Sequence, residues 1–150
     1  MRKILLLIIA VAFLICPRSS FAITPQTFNG TAGNLTPTAW TVYTPTVTAQ
    51  SGTFTSVSAT GRYIVIGKTV HVKIVVAITT AGSASGAVIA TLPVTSYNGT
   101  EILAGRETNV SGIMLQGIVN STNMYVFGYG NSSPISSGAG LNISGTYEAQ

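Results

Sequence analysis

The sequence predicts an all-β domain, an antiparallel β-sandwich of the jelly-roll kind, on three observations. Two β-rich runs, Arg62–Ile66 and Thr69–Ile78, are separated by only Gly67-Lys68. Glycine in the first central position is what a two-residue type II′ hairpin turn needs, because that position takes positive φ. Short stretches of period-two alternation then recur along the chain between Gly, Asn, Pro and Ser turn signals. Beyond residue 22 no segment carries a helical period. Short strands with turns at this spacing indicate a sandwich or jelly roll.

Taken in order, residues 1–22 read as a secretory signal peptide. Arg2-Lys3 is the positive start, Ile4 to Cys16 is an apolar run of 13 residues, and Ser20-Phe21-Ala22 places small residues at −3 and −1 of a cleavage site. Thirteen residues fall short of the ~20 a spanning helix needs, so no stable membrane anchor is expected. Export is, to the periplasm, the medium or the cell surface. Residues 23–39 are rich in Thr, Asn, Gly and Pro without a period, which predicts a flexible N-terminal arm. The β domain is expected over residues 40–150.

Within it, Thr41–Thr48 reads as a strand in which Pro45 implies an edge or a bulge. Thr53–Thr60 leads into the central hairpin. There the turn pairs Ile66 with Thr69, Val65 with Val70, Ile64 with His71 and Tyr63 with Val72. Val70, Val72, Ile74, Val76 and Ile78 then share one face, which with Tyr63 and Val65 is the core face. Ala87–Leu92, Glu101–Val110, Gly112–Val119, Met124–Tyr129 and Leu141–Glu148 complete the strands, with a further hairpin signal at Asn98-Gly99.

Composition restricts the function. After cleavage the basic residues are Arg62, Lys68, Lys73 and Arg106 and the acids Glu101, Glu107 and Glu148, a net charge of +1. No basic patch remains to hold a phosphate backbone, so nucleic acid is not an expected partner. Cysteine is absent from the mature part, and Asp from the whole chain. Stability therefore rests on packing or on association with other copies. Apolar strands with few charges invite edge-to-edge pairing, which an obligate oligomer turns into an interface.

Catalytic candidates are scarce. His71 is the only histidine. It lacks partners at metal-ligand spacing and reads as a surface or interface residue, so neither a metal nor another cofactor is expected. Glu101 and Glu107, if on one strand, stand ~20 Å apart, too far for a glycosidase pair. The chain is not expected to be an enzyme. The binding candidates are Tyr125, Phe127 and Tyr129, alternating along one strand, with Asn131 in the loop beyond. Aromatic faces stack on sugar rings and an Asn amide supplies hydrogen bonds. The plainer alternative is that these rings belong to the core or to a subunit interface.

Three segments occur in order: W-T-V-Y-T-P-T-V at Trp40–Val47, T-G-R-Y-I-V-I-G-K-T-V-H-V at Thr60–Val72 and I-S-G-T-Y-E-A at Ile143–Ala149. Together they resemble a C-terminal β domain of tail fibre and tail appendage proteins of tailed bacteriophages and prophages. The resemblance implies a β-sandwich working as a homotrimer at an appendage tip, where it recognises a cell-surface glycan or receptor. It also implies a place in a virion tail, whereas the export signal implies a free-standing secreted relative. The competing expectation is a structural tip domain that holds subunits together and binds no ligand.

Overall fold

The structure is a computed structural model describing residues 39–97 and 99–150. The expected signal peptide and all but the last residue of the arm lie outside the described residues, as does Asn98 of the Asn-Gly turn. Among the described residues no helix is long and apolar enough to cross a membrane.

Nine strands follow in order among the described residues: β1 Thr41–Tyr43, β2 Val47–Ser51, β3 Ser56–Ile66, β4 Thr69–Thr80, β5 Ser85–Thr91, β6 Ile102–Glu107, β7 Met114–Asn120, β8 Asn123–Gly128 and β9 Gly140–Glu148. They hydrogen-bond into a single antiparallel sheet in the order β1-β3-β4-β9-β6-β7-β8-β5-β2. The all-β, antiparallel expectation is met, but the ladders draw one curled sheet, a half-barrel, rather than two separate layers.

The hairpin between β3 and β4 forms in the expected register, Ile66 opposite Thr69 through Tyr63 opposite Val72, with Gly67 at φ 61°. Strand alternation does the rest. Val70, Val72, Ile74, Val76 and Ile78 are all buried and Tyr63 packs against them, but Val65, two residues from the turn at the end of the hairpin, is exposed instead of in the core. Opposite the β4 face β9 contributes Leu141, Ile143 and Tyr147. Leu103, Leu115, Val119, Met124, Val126, Val88 and Ala90 complete the core from the remaining strands. Asn98-Gly99 does not join hairpin partners. It lies between β5, which pairs with β8 and β2, and β6, which pairs with β7 and β9.

The curl follows from the run 41–51. Its first half pairs with β3 and its second with β5. Tyr43 and Val47 are four residues apart, so the two edges of the sheet lie within ~14 Å of each other. Pro45 sits buried at the break, where its missing N–H costs no ladder bond. Thr46 N–H donates to Thr91 Oγ1 and Thr91 N–H donates to Thr46 O. Tyr43 spans the interior: its ring meets Tyr63 edge-on at 5.7 Å, and its hydroxyl donates to Thr91 O. On the far side the Tyr147 hydroxyl donates to Val94 O at 2.8 Å.

Burial pushes both phenols up. Tyr43 lies well above the ordinary range, with Tyr147 and Tyr63 adding to the effect. Tyr147 is pushed up to about 12 by burial, against the lowering influence of its bond with the Val94 backbone. A folded pKa above the unfolded value means the neutral form supports the fold. That support is complete below about pH 10, the unfolded phenol pKa, and is lost as pH rises through the folded value. Tyr43 and Tyr147 are therefore expected to ionise together with alkaline unfolding, when absorbance at 295 nm and circular dichroism are followed in one titration. An absorbance titration that runs to completion with the fold intact would contradict this.

Candidate functional site

The aromatic stripe lies on the outside of the sheet. In β8, Met124 and Val126 are buried, so Tyr125 and Phe127, one residue out of phase, face outward and are half-buried. Neighbouring strands set their surroundings. Tyr125 stands between Ile118 of β7 and Ile89 of β5, and Ile118 in turn faces Ile102 of β6, which is 62% exposed. One row across four strands is therefore apolar: Ile102, Ile118, Tyr125, Ile89. Phe127 faces Gln116.

Beyond β8 the chain makes a 3-10 turn, Tyr129–Asn131, in which Gly130 and Asn131 both take positive φ. Tyr129 is 86% exposed. The loop is tied down on several sides. Gly128 N–H donates to Ser132 O, Ser132 Oγ to Tyr129 O, and Ser133 Oγ to Gly86 O on the β5 side. Gln116 Nε2 donates to Asn131 Oδ1 at 2.7 Å. The fold thus places Tyr125, Phe127, Tyr129 and Asn131 on or beside one outer surface, with Gln116 joining them. Tyr129 has left the strand, so its direction is set by the turn and not by alternation.

The three acids are dispersed. Glu101 accepts from the Glu148 backbone N–H at 3.2 Å, and Glu148 stands opposite Thr69. Glu107 is buried, 1% exposed. Its two oxygens accept from the backbone N–H groups of Asn109, Val110, Ser111, Gly112 and Gly140 and from the Ser111 hydroxyl. Burial by itself would raise this carboxyl, but the N–H groups around it outweigh burial and hold it well below the usual carboxylate range. The carboxylate is the centre on which the 108–112 loop and the start of β9 are built. The sequence offered no sign of this, since six donors converge on it only through folding.

His71 is half-buried on the outer face of β4, between Ile64 and Thr146. Among the described residues no three His, Cys, Asp or Glu side chains gather.

Two cations meet on the same outer face, on the other flank of the sheet. Arg62 is directly opposite Lys73, and the Arg62 guanidinium lies over the Trp40 ring at 4.9 Å from its centroid. This pairing was legible, because the hairpin register continued by one residue from Tyr63–Val72 reaches it.

Compared with protein-family models, curated proteins and solved structures, the chain matches none.

Proposed function

We propose that the chain is an exported, non-catalytic recognition module of the phage-tail-appendage kind, acting as a homotrimer and binding a cell-surface glycan on the outer face around β8. The observation that carries this reading is the direction of the stripe. The core takes Met124 and Val126 and leaves Tyr125 and Phe127 facing out. Half-exposed rings on a stiff sheet offer stacking area at little entropic cost, and the tied 128–133 loop holds Asn131 and Gln116 ready for hydroxyl groups. In this reading the two flanks of the curled sheet work as the layers of a jelly-roll-like sandwich, with the outer surface free to vary while the core is kept.

One observation favours a second reading, a structural tip domain that binds no ligand. The apolar row from Ile102 to Ile89 is continuous, and Met114, 58% exposed, lies on the same face at the start of β7, beyond Gln116. A surface of that kind is what packed copies would cover.

A glycan array probed with the exported protein and with a Tyr125→Ala, Tyr129→Ala double variant separates the two. Under the recognition reading the wild type binds a defined glycan set, and the double variant loses at least about tenfold in affinity while staying folded and oligomeric. If the variant falls apart into monomers in light scattering, the rings belong to the interface and the structural reading replaces recognition.

A further inference from the structure

We propose that Trp40, Arg62 and Lys73 form a second binding site, specific for a carboxylate-bearing sugar such as a uronate. It lies on the outer face of β3 and β4, apart from the β8 surface.

Charge is the first observation. Like charges placed directly opposite on neighbouring strands repel and destabilise the pairing, yet Arg62 and Lys73 are such a pair. The chain has three acidic side chains in all, and each lies elsewhere in the sheet. Glu107 is buried among its loop N–H groups. Glu101 accepts from Glu148 N–H. Glu148 is opposite Thr69, four positions along β9 from Ser144, the residue facing Lys73; that is ~13 Å along the strand. Among the described residues no acidic side chain pairs with the two cations, so an oxyanion arriving between them removes a repulsion as well as gaining two charge-assisted bonds.

Shape is the second. A groove of about 250 Å³ opens here, lined by Val42, Thr60, Gly61, Arg62, Lys73 and Val75. Its volume suits one ring rather than an extended chain segment. Val42 and Val75 give it apolar walls and Thr60 a hydroxyl. A simple phosphate or sulfate makes no use of those walls, whereas a pyranose ring does.

Arrangement is the third. The guanidinium is held over Trp40, and this stacking fixes its plane while leaving its edge N–H groups free for a bidentate grip on a carboxylate. Trp40 is itself 44% exposed, so part of its indole surface remains available beside the charge. Acidic-sugar recognition needs a planar cation and an apolar face adjacent to each other, and Arg62 and Trp40 supply both.

Trp40 is the only tryptophan in the chain, which makes its emission a direct reporter. Titration with trigalacturonate is expected to change Trp40 fluorescence saturably, with affinity falling as salt is raised from about 50 to 300 mM. Galactotriose, the neutral counterpart, should produce no saturable change, and inorganic phosphate should bind at least about tenfold more weakly, since it lacks the ring. Arg62→Gln and Lys73→Gln should each weaken trigalacturonate binding roughly tenfold or more. Lys68→Gln, at the hairpin turn, should leave it unchanged, with all three variants checked for wild-type melting. The proposal is overturned if trigalacturonate gives no saturable change, if galactotriose or phosphate binds as well, or if Lys68→Gln weakens binding as much as the other two. The Tyr125→Ala, Tyr129→Ala variant keeps this site, so failure here and failure of the β8 reading are separate results.

Discussion

Replacing Glu107 with alanine is expected to destabilise the fold by about 3–5 kcal/mol, a drop in melting temperature of more than ~10 °C. Five backbone N–H groups and one hydroxyl lose their acceptor at once. Each buried donor left unsatisfied costs ~1–3 kcal/mol, but part of the 108–112 loop can open to water, so the losses do not simply add. Gly140 N–H is at the start of β9, whose neighbours are β4 and β6, so the damage reaches the sheet. Glu107→Gln keeps one acceptor oxygen and loses the charge, and should fall between wild type and alanine. The acid dependence has a definite sign. The folded carboxyl is held below its unfolded pKa of ~4.3, so its contribution is present above that pH and is lost as pH falls through the folded value. Thermal melts of wild type and Glu107→Gln from pH 6 to pH 2 should converge as the solution becomes more acid. A variant melting within ~2 °C of wild type at pH 7 would show that the carboxylate does not organise this loop.

Gly61→Val is expected to cost a comparable amount, for a steric reason. Gly61 lies in β3 between Tyr43 of β1 and Ile74 of β4. A Cβ there would clash with the Tyr43 ring. The ring covers the glycine, as aromatic residues do for glycines in twisted sheets. Valine would expel it, breaking the edge-on contact with Tyr63 and the bond to Thr91 O. Over-packing of this kind costs ~1–3 kcal/mol before the lost ring contacts are added. Tyr43→Ala alone should cost ~3–5 kcal/mol through the cavity it leaves. The double variant provides the decisive measurement. With the ring gone, valine at 61 should destabilise by less than ~1 kcal/mol, giving a coupling of 1 kcal/mol or more in denaturant melts. Additive effects would mean that Tyr43 does not pack on Gly61.

Both sites show where local information ends. From the sequence alone, the hairpin could be read with its register, its Gly67 turn and the buried face of β4, because each depends on residues within about a dozen positions and on a period of two. Pro45 was legible as an edge or bulge signal for the same reason, since proline lacks the N–H a ladder needs, but the division of Thr41–Thr48 into β1 and β2 on opposite edges was not. The direction of β8 was not. Met124, Val126 and Gly128 on one side and Tyr125, Phe127 and Tyr129 on the other are both apolar enough to be core, so alternation left the choice open. It was decided when Leu115, Val119, Val88 and Ala90, from the strands on either side, buried the Met124 face. The insertion of β9 between β4 and β6, the curl that brings β1 and β2 together and the convergence of loop N–H groups on Glu107 join residues up to about 80 positions apart. No short-range pattern encodes such contacts. They are selected only when the whole chain compares alternative ways of burying its apolar faces and satisfying its backbone, a comparison made in three dimensions.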